Sequence, residues 1–165
     1  MCYTISMHPP FYASGFLYSL KTHRILLLQS TDQNDVSSFW SMLGGESKDG
    51  EEAQVTFQRI ISNMLNINLK AKHIHPVYDY FHHTRNKVNY VFYAEVGKAK
   101  VFNASKKGTL SWVSFRETLK LPFTSQTKQD IVVGERVINA KWRDDETKKV
   151  LKNSSEGLDT IPVMN

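Results

Sequence analysis

Four acidic residues, Glu46, Asp49, Glu51 and Glu52, lie within seven positions directly after the glycine pair Gly44-Gly45, and Arg59 follows Glu51 by eight. Carboxylates gathered beside glycines are the raw material of a divalent-cation site. Magnesium takes oxygen ligands, and glycine lets backbone pass close to another group. Beyond Arg59 the chain turns apolar, with Ile60, Ile61, Met64 and Leu65 broken by Asn63. Residues three and four apart share one helical face, so Ile60, Asn63 and Met64 stand together. Isoleucine and methionine offer a cation no useful oxygen, and asparagine offers one neutral acceptor. Glu51 and Glu52 are thus expected in the first turn of a helix whose later face, at Ile60, Asn63 and Met64, carries no acid.

Counted from Gly45, this stretch resembles the signature of the Nudix (MutT-like) family, G-x5-E-x7-R-E-U-x-E-E-x-G-U, where U is bulky and apolar. Glu51 and Arg59 are in register, Ile61 and Ile67 keep the apolar positions, and Trp40 lies five residues before the first glycine of the pattern. The departures are specific. Ile60 stands where the pattern has the glutamate after arginine, Asn63 and Met64 replace the later pair, Asn66 replaces the second glycine, and Leu43 precedes the glycines in place of a usual proline.

The resemblance implies an α/β fold, a Nudix-type α/β/α sandwich with a mixed central sheet, over about Ala13 to Lys141. The segment Leu110 to Arg116 matches the Trp-containing strand that often precedes a final helix in this family. The family cleaves nucleoside diphosphates linked to another group, using Mg²⁺ or Mn²⁺ held by the glutamates replaced here. Losing even one preorganised electrostatic group costs roughly 10²–10³ in rate. The resemblance thus implies that hydrolysis is impaired or lost, while a cleft for a nucleoside-diphosphate derivative, a dinucleotide or RNA is kept. No resident cofactor is expected. In the family, the glutamate matched by Glu51 partners the arginine matched by Arg59, so Gly44, Gly45, Glu51 and Arg59 form a retained scaffold. Non-hydrolysing relatives, among them an RNA 3′-end processing subunit and sugar-nucleotide-sensing regulators, are analogues at the level of fold.

Two alternatives stay open, and with them whether the chain is an enzyme. A working hydrolase would recruit Mg²⁺ or Mn²⁺ through Glu46, Asp49, Glu51 or Glu52, with Glu51 and Glu52 as catalytic groups and a later acid such as Glu117, Asp130 or Glu135. A protein-interaction module would use Ile60 and Met64 as an exposed apolar patch for self-association or partner binding.

Two other groupings have chemistry in them. His73 and His75 would share one face of a strand, with His82-His83 at a strand end, a spacing compatible with a transition metal but short of a complete ligand set. Solvated or hydrogen-bonded histidines are the plainer reading. Tyr78, Tyr80, Phe81, Tyr90, Phe92 and Tyr93 alternate with Arg85 and Lys87, as in surfaces that stack bases and hold phosphates. The plainer reading is strand residues packing a core.

The elements that must position these groups follow from pattern. Ala13 to Leu20 and Arg24 to Ser30 read as a hairpin around Lys21-Thr22-His23, and Thr31 to Ser38 as a polar loop. The glycine pair reads as a turn, and Glu51 to Leu65 as a helix with Phe57, Ile61, Met64 and Leu65 inward. Strands follow at His73 to Phe81, Val88 to Val96 and Leu110 to Phe115, with an exposed turn from Asn103 to Gly108. Thr127 to Lys141 reads as a closing helix despite Gly134, with Ile131, Val132, Val137 and Ile138 inward. Residues 1–150 are read as one domain and 151–165 as a mobile tail.

At 165 residues, 41% hydrophobic and 12% aromatic, the chain is long enough for a substantial core. A net charge of +5 favours polyanionic partners. The single cysteine, Cys2, excludes an internal disulfide, and with no leader pattern or membrane-length apolar run a cytoplasmic setting is expected.

Overall fold

A computed structural model describes residues 8–30, 39–103 and 108–156. Seven strands form one sheet: β1 (Tyr12–Ser19), β2 (Arg24–Ser30), β3 (Trp40–Ser41), β4 (Leu43–Glu46), β5 (Ile74–His82), β6 (Lys87–Val96) and β7 (Gly108–Ser114). The helices are α1 (Ala53–Leu65), the single turn α2 (Phe115–Thr118) and α3 (Ser125–Glu156). Along the sheet the order is β3-β2-β1-β6-β5, with β4 also paired to β1 and β7 to β2. The β1–β6 pair is parallel, from Tyr12↔Asn89 to Ser19↔Val96, and the other pairs are antiparallel. The sheet is therefore mixed, as expected.

Period-two alternation along β1 and β6 divides the core into two layers. Ala13, Leu17, Phe92 and Ala94 face α1 and pack with Phe57, Ile61 and Leu65. Phe16 and Tyr93 face α3 and pack with Ile25, Leu27, Ile131 and Ile138. This is the α/β/α sandwich. Among the described residues no helix is long and apolar enough to cross a membrane.

Several expectations change. Gly44-Gly45 is no turn: both lie in β4, opposite Ser14 and Ala13. Close approach is what they permit, because a Cβ on Gly44 would sit 2.7 Å from the Ala13 carbonyl oxygen. The helix begins at Ala53, with Glu52 as its cap residue, so neither acid lies in the first turn. It ends at Asn66 in the left-handed conformation, φ 52° and ψ 48°. Asparagine tolerates that conformation better than other non-glycine residues, which explains how it stands in for the pattern's second glycine. Gly134 does not interrupt α3; a Cβ there would sit 2.8 Å from Phe16 Cζ, so the glycine lets the helix seat on the sheet. Val132 points outward, 40% exposed. The closing helix is far longer than its pattern, running on through residues 151–156 that were read as tail. Residues 157–165, the 31–38 loop and most of the 103–108 turn lie outside the described residues.

Candidate functional site

The segment between β4 and α1 is held by one carboxylate. Gly50 takes φ 77°, and the turn closes with the Glu51 amide donating to the Lys48 carbonyl at 3.1 Å. Glu51 then accepts from the Lys48 amide at 2.7 Å, from Arg59 Nε at 2.8 Å and Nη2 at 2.9 Å, and from the Thr56 hydroxyl at 3.3 Å. Arg59 Nη2 also donates to the Glu46 carbonyl at 2.9 Å, tying α1 to β4. The Arg59 hydrogen bonds are the main reason the Glu51 carboxyl is pulled down to about 2, and the same pair raises Arg59. A fork-on-carboxylate pair of this geometry is a brace.

The next turn of α1 is where a cation would have to sit. Ile60 is buried, and its Cδ1 would lie 2.9 Å from a Cβ on Gly45. Isoleucine therefore fills the trough that the side-chain-free strand leaves open. Asn63 is exposed, and Met64 is half-buried against the core layer under α1. The residues present do not fit a divalent cation. They do not make the apolar docking patch either, since Ile60 is covered by β4.

Among the described residues the remaining acids do not gather into a metal-type cluster. Glu46 pairs with Lys87, and Asp49 and Glu52 are exposed. Glu117 pairs with Arg24 at 3.2 Å and caps α2. Glu135 is half-buried on α3. Among the described residues no three of His, Cys, Asp and Glu come together as a metal would need.

Asp130, named above as a later acid for a working hydrolase, is placed differently. It is 2% exposed, and accepts from Tyr78 at 2.6 Å, Tyr80 at 2.9 Å and Gln126 at 3.0 Å. Asn89 extends the network, donating to Tyr80 at 2.8 Å and accepting from Ser14 at 3.0 Å. Burial first, then the Asp130 carboxylate, pushes the Tyr78 phenol up; burial dominates at Tyr80 too. The signal was present as Gln126 and Asp130, four apart, opposite two alternate-position tyrosines. The network lines a hollow of about 60 Å³, beside which the Arg85 guanidinium lies 3.7 Å over the Tyr12 ring. A roomier cleft of about 500 Å³ opens on the α1 side, bounded by Pro10, Gly50 to Ala53, Phe81, Lys87 and Tyr90.

The aromatic run is thus split between uses. Phe92 and Tyr93 are core, Tyr78 and Tyr80 hold Asp130, and Phe81 and Tyr90 line the cleft. The histidines do not converge. His73 ends a 3-10 turn (Ala71–His73) and is exposed, whereas His75 sits in β5 against Tyr93, ring centroids 5.0 Å apart. His75 Nε2 is 3.2 Å from Glu95 Oε1 without hydrogen-bond alignment, and burial lowers its pKa. His82 accepts from the Arg85 amide at 3.3 Å, helping turn the β5–β6 hairpin.

No family model and no curated protein matches the sequence. Solved structures do match the fold. The E. coli ORF135 protein aligns at TM-score 0.62 and 18% identity, covering 82% of this chain and 94% of that one. The NUDIX domain of Shewanella oneidensis NrtR, solved with ADP ribose, aligns at TM-score 0.62 and 13% identity, covering 83% and 94%. The chain has the Nudix fold. The C-terminal domain of mouse MUTYH, solved with human PCNA, aligns at TM-score 0.59 and 12% identity, covering 80% and 91%. The Glu51–Arg59 brace spans the segment between β4 and α1, and Ile60 follows Arg59 directly on α1.

Proposed function

We propose that this Nudix-fold protein binds a nucleoside-diphosphate derivative and that the usual metal-dependent pyrophosphate hydrolysis is lost. The observation that carries the reading is Ile60 packed onto Gly45, an apolar side chain filling the space a metal-binding carboxylate would need, beside an intact Glu51–Arg59 brace. A structure-bearing ion pair kept next to an emptied charge cluster fits a domain that still needs its loop in place but not its cation.

The roomier cleft supplies the binding chemistry. Phe81, 49% exposed, and Tyr90 offer ring faces for a base. The first amides of α1, which no helical carbonyl can satisfy, favour a diphosphate, and Lys87 stands beside them, sharing its charge with Glu46 until a phosphate competes for it. Glu51 and Glu52 line the same cleft; the charge of Glu51 is committed to Arg59, and Glu52 is exposed at its edge. A volume of about 500 Å³ lies within the usual range for small-ligand sites. The ADP ribose bound by the NrtR domain is a ligand of this chemistry on the same fold.

Isothermal titration of ADP ribose, in EDTA and in Mn²⁺, with product release followed by chromatography, tests both halves. Binding in EDTA that weakens at least fivefold in Lys87→Ala, with no product in Mn²⁺, is the expected result. Metal-dependent turnover would overturn the loss of hydrolysis. No binding of ADP ribose or of a diadenosine polyphosphate would overturn the ligand class.

A further inference from the structure

The opposite end of the sheet holds a second cleft, of about 410 Å³, unrelated to the box. Because β1 and β6 run parallel, their starts lie beside β4 and Arg85, and their ends, at Leu20 and Val96, lie at the far pole. There the Leu20 amide donates to the Val96 carbonyl at 2.8 Å and the Lys21 amide to the Gly97 carbonyl at 3.1 Å, prolonging the pairing and fixing the cleft wall. Its inner surface is apolar: Leu17 and Leu69 are buried, and Val96 and Phe102 pack on the same core layer. Trp112 completes the wall, its indole N–H anchored on the Lys100 carbonyl at 2.7 Å.

The rim has the opposite character. Lys70, Lys98 and Lys100 are all exposed at this cleft, and among the described residues no carboxylate pairs with any of them. Some lysines elsewhere find carboxylates, as Lys87 does with Glu46 and Lys148 with Asp144, and others such as Lys21, Lys72 and Lys128 do not among the described residues; what sets Lys70, Lys98 and Lys100 apart is that all three share the rim of one apolar cleft. The one acid lining the cleft, Glu95, is already shared between His75 at 3.2 Å and Lys141 at 3.4 Å. Three ammonium groups thus surround an apolar floor with no free counter-charge. Among the described residues Asn68 is the only side-chain amide in the lining, too little to read the edge of a nucleobase.

We infer that this far-pole cleft binds an amphipathic anion, an aryl or short acyl body seated on Leu17, Leu69 and Phe102 beside Trp112, with a phosphate or carboxylate held by Lys70, Lys98 and Lys100. Burial of the body supplies the affinity and the lysines select the charge. The site is separate from the nucleotide cleft, so either assignment can fail alone.

The test is calorimetric titration of the full chain with 1-naphthyl phosphate, 1-naphthoate, 1-naphthol and inorganic phosphate. One or both naphthyl anions should bind at least tenfold more tightly than naphthol or phosphate, and the better anion names the source of the charge. Lys98→Glu/Lys100→Glu should weaken it at least tenfold at low salt. So should Gly97→Trp, since Gly97 lines the cleft and its Cβ position is open. Lys87→Ala and Arg85→Ala, at the other pole, should leave it unchanged. The exposed lysine pair keeps the test sound if Gly97→Trp fails to fold by circular dichroism. Naphthol binding as tightly as the anions, indifference to the lysine variants, or no binding at millimolar ligand would overturn the inference.

Discussion

Removing the charge of Glu51 should cost stability in a way that pH can switch off. The carboxyl moves from an ordinary 4.5 to about 2, chiefly through Arg59. At about 1.4 kcal/mol per unit this difference is about 3 kcal/mol, an upper figure. Solvent screening lowers it, because the Glu51 and Arg59 side chains are 15% and 26% exposed, to about 1–2 kcal/mol. The folded pKa lies below the unfolded one, so this stability is fully present above pH 4.5 and is lost as pH falls through about 2. Glu51→Gln, measured by urea denaturation, should therefore cost about 1–2 kcal/mol at pH 7 and progressively less between pH 4.5 and 2.5. A double-mutant cycle with Arg59→Met should give a coupling of about 1 kcal/mol or more at pH 7. A cost that is flat from pH 7 to 2.5, or a coupling below about 0.5 kcal/mol, would refute the brace as the source of the shift.

Three further outcomes follow from the packing. Ile60→Glu alone should destabilise by about 2–4 kcal/mol in thermal melts, because it buries an unpaired carboxylate against β4; the triple change Ile60→Glu, Asn63→Glu, Met64→Glu should acquire a melting temperature that rises with Mn²⁺, and no metal response would count against that face as the vacated cation position. Asp130→Ala should cost about 2–4 kcal/mol by urea denaturation, since it leaves two half-buried tyrosine hydroxyls and the Gln126 amide without their acceptor. Gly134→Ala should destabilise by about 1–3 kcal/mol by the same measurement, although alanine favours helices, because Phe16 is fully buried and cannot yield to a Cβ 2.8 Å away.

What was legible in the sequence was whatever rests on local period and spacing. The strands β1, β2, β5 and β6 lie where apolar stretches bounded by short polar turns place them, β2 as the continuous run Ile25 to Leu28, and the inward face of α1 follows helical spacing at Phe57, Ile61 and Leu65. The pairing of Glu51 with Arg59 rested on the family pattern. What stayed hidden depends on partners distant in the chain. Gly44 and Gly45 carry no mark distinguishing a turn from a strand that another element must approach closely; Ser14 and Ile60 decide it. Ile60 looked like an exposed apolar residue because its cover, β4, is not on its own helix. Asp130 gained meaning only when β5 brought Tyr78 and Tyr80 across about 50 residues of sequence to it.

The long α3 divides into two regimes of cohesion. Its first half is clamped by Asp130, Ile131, Gly134 and Ile138, and no described residue after Ile138 is buried. Trp142, Val150 and Leu151 are 62%, 63% and 66% exposed, and among the described residues the ion pair that ties the arm to the sheet is Lys141–Glu95 at 3.4 Å, close to its start. Side-chain ion pairs three and four residues apart, Lys141–Asp145, Asp144–Lys148, Glu146–Lys149 and Lys152–Glu156, lace the arm. Such pairs contribute only about 0.2–0.5 kcal/mol each and weaken in salt. The arm therefore unwinds from its C-terminal end on its own schedule, set by ionic strength and temperature, while the domain beneath stays folded: one continuous helix, half of it architecture and half an electrolyte gauge.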